Sequence, residues 1–212
     1  MKIFLEKLEK YFKGMKPLIL LLSLFFTGAV LSNPVNEVPF KKEGDLFNFY
    51  IEIPAGTKEK WEINKSSGLL ELEQKNNQAR IVSFLAYPGN YGFIPQTISG
   101  DGDPIDLIDL DESSPQGTVK QVKIIGAIYF KDRGEPDYKY IAVSPSGTFN
   151  GVNTIEELLL YKPSVAEIIK LWFLSYKESG KMNFIRFIDL DESMDILRVS
   201  HERWRTEQNE TN

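Results

Sequence analysis

The chain has 212 residues, 42% of them hydrophobic and 12% aromatic, which supports a packed globular core and excludes a disordered tail. Its 25 basic and 30 acidic residues give a net charge of −5, and it contains no Cys, so disulfides, thiolate metal sites and a thiol nucleophile are all excluded.

The N-terminus differs from the rest. Lys13 and Lys16 precede the apolar run Leu18-Ile-Leu-Leu-Leu-Ser-Leu-Phe-Phe26, then the small residues Thr27-Gly-Ala-Val-Leu-Ser32. A basic stretch, a short apolar run and a small-residue exit describe a secretory signal peptide over residues 1–32, cut near Ser32, with Met15 a candidate start. The run is short of the about 20 residues a membrane span needs, and an uncleaved membrane anchor is the alternative. The expected protein is therefore exported, periplasmic or secreted, with residues 33–212 as a single domain. Residues 1–32 hold five of the basic and two of the acidic residues, leaving 20 basic and 28 acidic side chains and a net charge of −8. That charge argues against nucleic acid or an anionic membrane surface as partner.

Residues 33–45 read as a polar lead-in. From Phe47 to Ile53 apolar residues alternate with Asn48, Tyr50 and Glu52, a strand period that ends at Pro54. Further short strands are predicted at Lys60–Asn64, Leu69–Glu73, Ile81–Leu85, Val119–Phe130, with Gly126 marking a bulge, and Lys139–Val143. Thr154 and Glu157 have capping-box spacing for a helix over Ile155–Tyr161. Pro163 opens a second helix whose stripe Val165, Ile168, Ile169, Trp172, Phe173 and Tyr176 should pack on the sheet, ending at Gly180. Asp191–Arg205 reads as a last helix. The fold class is mainly β with peripheral α: a small closed antiparallel β-barrel, OB-like, flanked by C-terminal helices.

Asp101, Asp103 and Asp106 lie within six residues, beside an Asp-Gly turn and the strand Ile105–Leu110. Carboxylates this close repel one another unless a cation offsets them, and oxygen ligands suit a hard ion such as Mg²⁺. Taken alone, such a loop is more often a solvated turn. An EF-hand reading fails, because Ile105 and Asp106 stand where an oxygen ligand and Gly are needed. Asp109, Asp111 and Glu112 read as exposed charges. Asp132 and Asp137 flank a hairpin turn, and Glu52 alone reads as an outward strand position. Tyr87 and Tyr91 offer phenol hydroxyls in an aromatic, turn-rich segment, and Lys60, Arg80, Lys139 and Lys177 are cations able to clamp phosphate oxygens. His201, the one His, reads as a helix-packing residue near Trp204.

Together these segments resemble the soluble inorganic pyrophosphatases of the single-domain, magnesium-dependent family. The resemblance runs from about Phe47 to Lys177, and its most specific part is Asp101-Gly-Asp-Pro-Ile-Asp106 preceded by Tyr87-Pro-Gly-Asn-Tyr-Gly-Phe-Ile-Pro-Gln-Thr97. It implies Asp101, Asp106 and Asp137 as holders of activating Mg²⁺, with Asp132 and Glu52 serving the ions that arrive with substrate. Asp103 is implied as general base on the attacking water. Lys60, Tyr176 and Lys177 are implied to hold phosphate oxygens, Tyr91 to hydrogen-bond phosphate or the base, and Lys139 to contact the leaving group or a neighbouring carboxylate. The implied reaction is hydrolysis of pyrophosphate, taken as its magnesium complex, to two phosphates.

The chain departs from the family pattern twice. Gln74 stands where the family has Arg, and after an insertion Arg80 takes the phosphate role. Arg133 follows Asp132 where the family has Glu. These departures motivate the alternative of a non-catalytic phosphate- or metal-binding homologue on the same barrel. Oligomeric state, a homo-oligomer included, is open at this level.

Overall fold

A computed structural model describes residues 33–177 and 180–211; the segment read as a signal peptide lies outside the described residues. The elements in chain order are α1 (Pro34–Glu37), β1 (Phe47–Ile53), β2 (Trp61–Ile63), β3 (Leu70–Leu72), β4 (Gln74–Lys75), β5 (Gln78–Ala79), β6 (Asn90–Ile94), β7 (Ile105–Asp109), β8 (Val119–Asp132), β9 (Glu135–Val143), α2 (Ile155–Tyr161), α3 (Pro163–Ser175), β10 (Met182–Ile188) and α4 (Leu190–Thr211).

The main sheet has six strands in the order β1-β6-β7-β9-β8-β10. The first half of β8 also pairs with β1, so β1, β6, β7, β9 and β8 close into a ring and β10 adds to the far half of β8. This is the OB-like arrangement expected. One pair, β7 with β9, is parallel. It follows from connectivity: β8 leaves the ring and returns as β9 through the Arg133-Gly134 turn, landing beside β7 in the same direction.

Closure buries β1 on both faces, so the polar half of its alternation is as enclosed as the apolar half. Alternate residues feed two apolar clusters. Phe49, Ile51, Leu107, Tyr140 and Ala142 pack with Leu197 of α4. Ile53, Tyr91, Ile108, Phe130 and Ile141 pack with Ile169, Trp172 and Phe173 of α3. Bulges interrupt the ladders at Glu52, between Ile124 and Gly126, as predicted, and between Phe184 and Arg186. At the first, Gly92 lies so close to β1 that a Cβ there would stand 2.0 Å from the Tyr50 carbonyl oxygen, which only glycine avoids.

Several expectations change. Asn90–Ile94 is a strand. Ile81–Leu85 is not: it makes one bridge through Ile81 and wraps outward, with the Leu85 carbonyl accepting from Trp172 Nε1 at 3.0 Å. β10 was not anticipated. Helix α3 ends at Ser175, Tyr176 forming its cap, and Gly180, at φ 81°, lies in the turn beyond. Ile168 is 57% exposed rather than packed on the sheet. The Thr154 cap forms, its side chain accepting from Glu157 N, while Glu157 reaches back to Asn153 N at 2.6 Å.

The lead-in is clasped to the barrel. Gln96 accepts from Phe40 N at 2.9 Å and donates to the Asn36 carbonyl at 2.9 Å. Trp204 Nε1 donates to Asn36 Oδ1 at 2.8 Å. His201 stacks on Phe40 with centroids 4.1 Å apart, as its helix-packing reading requires. Asn33 donates to the Lys65 carbonyl at 2.7 Å. Among the described residues, no helix is long and apolar enough to cross a membrane.

Candidate active site

The acidic and cationic residues singled out above are gathered largely on one face of the ring. On β9, Asp137 and Lys139 point to one side. Phe130 and Ile128 are their partners on β8, which places Asp132, two residues beyond Phe130, on that same side. Asp106 on β7 joins them, because its register step along the parallel pair falls beside Lys139. Lys139, only 3% exposed, binds both Asp106 and Asp137, the latter at 2.8 Å, and also donates to Tyr91 Oη at 3.3 Å. Burial works against its charge, but the two carboxylates outweigh it and hold Lys139 well above the usual lysine range.

Glu52 reaches this face through the bulge, which leaves it outside the β1–β6 register and re-aims its side chain. It is buried, not outward, and Oε1 accepts from Ile63 N at 2.7 Å. Burial pushes its carboxyl up to about 8, against the opposing pull of Lys60 and of the Ile63 amide; Asp106 and Glu62 add to the rise. A carboxyl raised in the folded state is protonated there while its unfolded counterpart, near 4.5, is not. In metal-free protein its contribution to stability is thus greatest below about 4.5 and is lost as pH rises through about 8. Glu52→Gln should flatten that decline, measured as melting temperature against pH in the presence of chelator; an unchanged slope would remove Glu52 as its source.

A cationic and aromatic wall stands opposite. Lys60 is 8% exposed and pairs with Glu62 at 2.7 Å. Its ammonium lies 5.6 Å from the Tyr91 ring centre. Arg80 is registered beside it by a cycle of backbone hydrogen bonds: Lys60 N to Arg80 O, Arg80 N to Glu73 O, and Glu73 N to Lys60 O, at 2.8 to 3.0 Å. Gln74 is exposed and its side-chain amide donates to the nearby Leu72 carbonyl, so the insertion carries Arg80 to the wall and Gln74 away from it. Tyr87 packs tilted against Trp172, which stacks on Tyr176, with centroids 4.4 and 4.7 Å apart. Tyr176 caps α3, and Lys177, the next residue, pairs with Asp132 at 2.6 Å.

Asp101 and Asp103 sit on the turn ahead of β7. Asp101 Oδ1 accepts from Ser99 and from Asp103 N, shaping the turn. The Asp103 side chain is 64% exposed and pairs with Lys65, which also donates to the Gly102 carbonyl at 3.0 Å. Arg133, next to Asp132, is exposed at φ 53° in the β8–β9 turn.

Asp103, Asp106, Asp132 and Asp137 are each paired with a lysine, and among the described residues no three acids form a ready metal cage. The donor set nonetheless suits a hard divalent ion. It is oxygen only, Asp106 and Asp137 already share one positive charge, and Asp132 keeps a buried Oδ1 without a partner.

Three residues of this region were missed by sequence reasoning. Lys65, Glu62 and Glu73 are counter-charges recognisable only in three dimensions. Tyr87, expected with Tyr91 as a phenol donor, has its hydroxyl buried without a hydrogen-bond partner among the described residues. Asp109 also changes: it is wholly buried, bonded to Lys120 at 2.7 Å and to Asn90 at 3.1 Å, at the opposite end of β7 from Asp106.

The family model for inorganic pyrophosphatase matches residues 49–205. The chain belongs to the inorganic pyrophosphatase family. An inorganic pyrophosphatase from Saccharolobus solfataricus is 35% identical over 144 residues, covering 66% of this chain and 79% of that protein. The inorganic pyrophosphatase of Homo sapiens is 29% identical over 202 residues, covering 82% and 69%. Among solved structures of inorganic pyrophosphatases, the truncated vacuolar soluble enzyme of Trypanosoma cruzi in complex with PPi superposes with a TM-score of 0.73 at 26% identity, covering 81% of this chain and 73% of that one. The family match takes in each acid and cation of the face just described.

Proposed function

We infer that this protein hydrolyses inorganic pyrophosphate to two phosphates, with Mg²⁺ as cofactor and magnesium pyrophosphate as substrate. The observation that carries the reading is the single face on which Asp106, Asp132, Asp137 and Lys139 meet the wall of Lys60, Arg80 and Tyr176, within a pyrophosphatase-family fold. Kinship to a pyrophosphatase solved with PPi favours catalysis over mere phosphate binding.

Asp101, Asp106 and Asp137 would hold the activating ions, and Asp132 and Glu52 those that accompany substrate. Bound Mg²⁺ supplies neutralisation of phosphate oxygens and acidification of a water molecule. Asp103 takes the proton of the attacking water; its exposed carboxylate on the turn beside Asp101 has the freedom to reach it. Lys60, Arg80, Lys177 and the hydroxyls of Tyr91, Tyr176 and Tyr87 orient the phosphate oxygens for in-line attack. Lys139 spaces Asp106 from Asp137 and stabilises the leaving phosphate. Lys60 and Lys139 are already paired with carboxylates, so Mg²⁺ arriving with pyrophosphate would be needed to offset the acids and free the cations for phosphate oxygens.

The test is phosphate release by the purified protein with Mg²⁺ and pyrophosphate. Steady release above blank is expected, and none from folded protein would refute the reading. We also propose export through residues 1–32, or anchoring by them uncleaved, from the basic stretch and short apolar run. N-terminal sequencing of the protein from cells distinguishes the two.

A further inference from the structure

We propose that Glu73 is a positioning residue that aims the Arg80 guanidinium at substrate phosphate. The inference rests on the reading of the site as pyrophosphate-binding and extends it to a residue outside the resemblance.

The hairpin β4–β5 is the insertion that displaces the family's arginine. Its register, Gln74 with Ala79 and Lys75 with Gln78, is closed by Asn76 and Asn77 at φ 55° and 61°. Two left-handed turn residues close a hairpin tightly, without slack. The next facing pair is then Glu73 and Arg80, joined by the backbone bond from Arg80 N to Glu73 O at 2.8 Å. Both carboxylate oxygens of Glu73 accept from Arg80 Nη1, at 2.7 and 2.6 Å.

The two side chains are only 24% and 26% exposed, so this pair is better shielded than a surface bridge. Glu73 engages the guanidinium through Nη1 alone. A guanidinium has five N–H donors in a fixed fork, so one nitrogen can be held while others face the site. The Arg80 carbonyl accepts from Lys60 N at 3.0 Å, which registers Arg80 directly beside that buried cation. Glu73 N is itself bonded to the carbonyl of Lys60, so the carboxylate is fixed relative to the neighbouring phosphate cation. An arginine arriving on an inserted hairpin needs such a hold, because a free side chain loses rotamer entropy on binding.

The experiment uses the purified full chain with Mg²⁺ and pyrophosphate, reading steady-state kinetics in the unmutated background and pyrophosphate binding by calorimetry in the Asp103→Asn background, where turnover is expected to be lost. Glu73→Ala should raise KM and Kd about tenfold with kcat within about twofold. Arg80→Ala should raise both at least as much, and adding Glu73→Ala to it should change them less than about twofold. Glu73→Gln, which keeps one acceptor, should fall between and serves in place of Glu73→Ala if that variant does not fold. Unchanged KM and Kd in the Glu73 variants, or an equal rise in the Arg80→Ala background, would overturn the proposal. Binding with no turnover in the unmutated chain would instead defeat the hydrolase reading, while the calorimetric cycle still decides the role of Glu73.

Discussion

Asp103→Asn should lose pyrophosphate turnover, with kcat down by about 10²–10⁴-fold, while melting temperature and Mg²⁺ affinity stay near those of the unmutated protein. The size follows from the general-base role: an amide of the same shape accepts a hydrogen bond but no proton. The stability expectation follows from the structure. Asp103 is exposed and its one ion pair, with Lys65, spans solvent, where such pairs contribute about 1 kcal/mol or less. The turn is shaped instead by Asp101, which accepts from Ser99 and Asp103 N. Phosphate release, a thermal melt and Mg²⁺ titration by calorimetry check the three parts. Normal turnover in the variant would pass the base role to another group; a large loss of Mg²⁺ affinity would make Asp103 a ligand.

Lys139→Met carries the second large effect, on stability. The ammonium is buried between Asp106 and Asp137, and deleting one partner of a buried ion pair costs about 3–5 kcal/mol because the other charges remain. In chelator the variant should therefore melt well below the unmutated protein. Two facing carboxylates without their lysine are also a stronger cation site, so Mg²⁺ should raise the variant's melting temperature by more than it raises the unmutated protein's. Thermal melts with chelator and with Mg²⁺ read both effects. Equal Mg²⁺-induced increments would show that Asp106 and Asp137 do not jointly hold the ion.

Much of this was legible from pattern. The alternation over Phe47–Ile53 and the long run of β8 announced two central strands, and Gly126 its bulge. Asp101 and Asp103 ahead of β7 and Asp106 on it pointed to a site once taken together with Glu52, Lys60, Tyr91, Asp132, Asp137 and Lys139. Local chemistry misled where tertiary packing overrode it. The Pro and Gly flanking Asn90–Ile94 look like turn residues, yet Gly92 is demanded by the strand's approach to β1. The apolar run Ile81–Leu85 imitates a strand, but its Leu85 carbonyl is taken by Trp172 rather than by a sheet. Glu52 alternates as an outward residue and is turned inward by the bulge. Least legible were the counter-charges. Lys139 meets Asp106 across 33 residues, Lys65 meets Asp103 across 38 and Lys177 meets Asp132 across 45, separations that no local spacing rule reports.

The clasp of the lead-in gives the domain a boundary that strand and family limits both place too late. Family likeness begins at residue 49 and the first strand at Phe47, yet the hydrogen bonds of Asn33, Asn36 and Phe40 reach the Lys65 loop, α4 and Gln96. The Lys65 loop carries the partner of Asp103. Asn33 and Gly68 are also in backbone contact, a Cβ on Gly68 falling 2.8 Å from Asn33 Cα. Residues 33–46 are thus a strap, and its Asn33 end holds the loop from which Lys65 reaches Asp103.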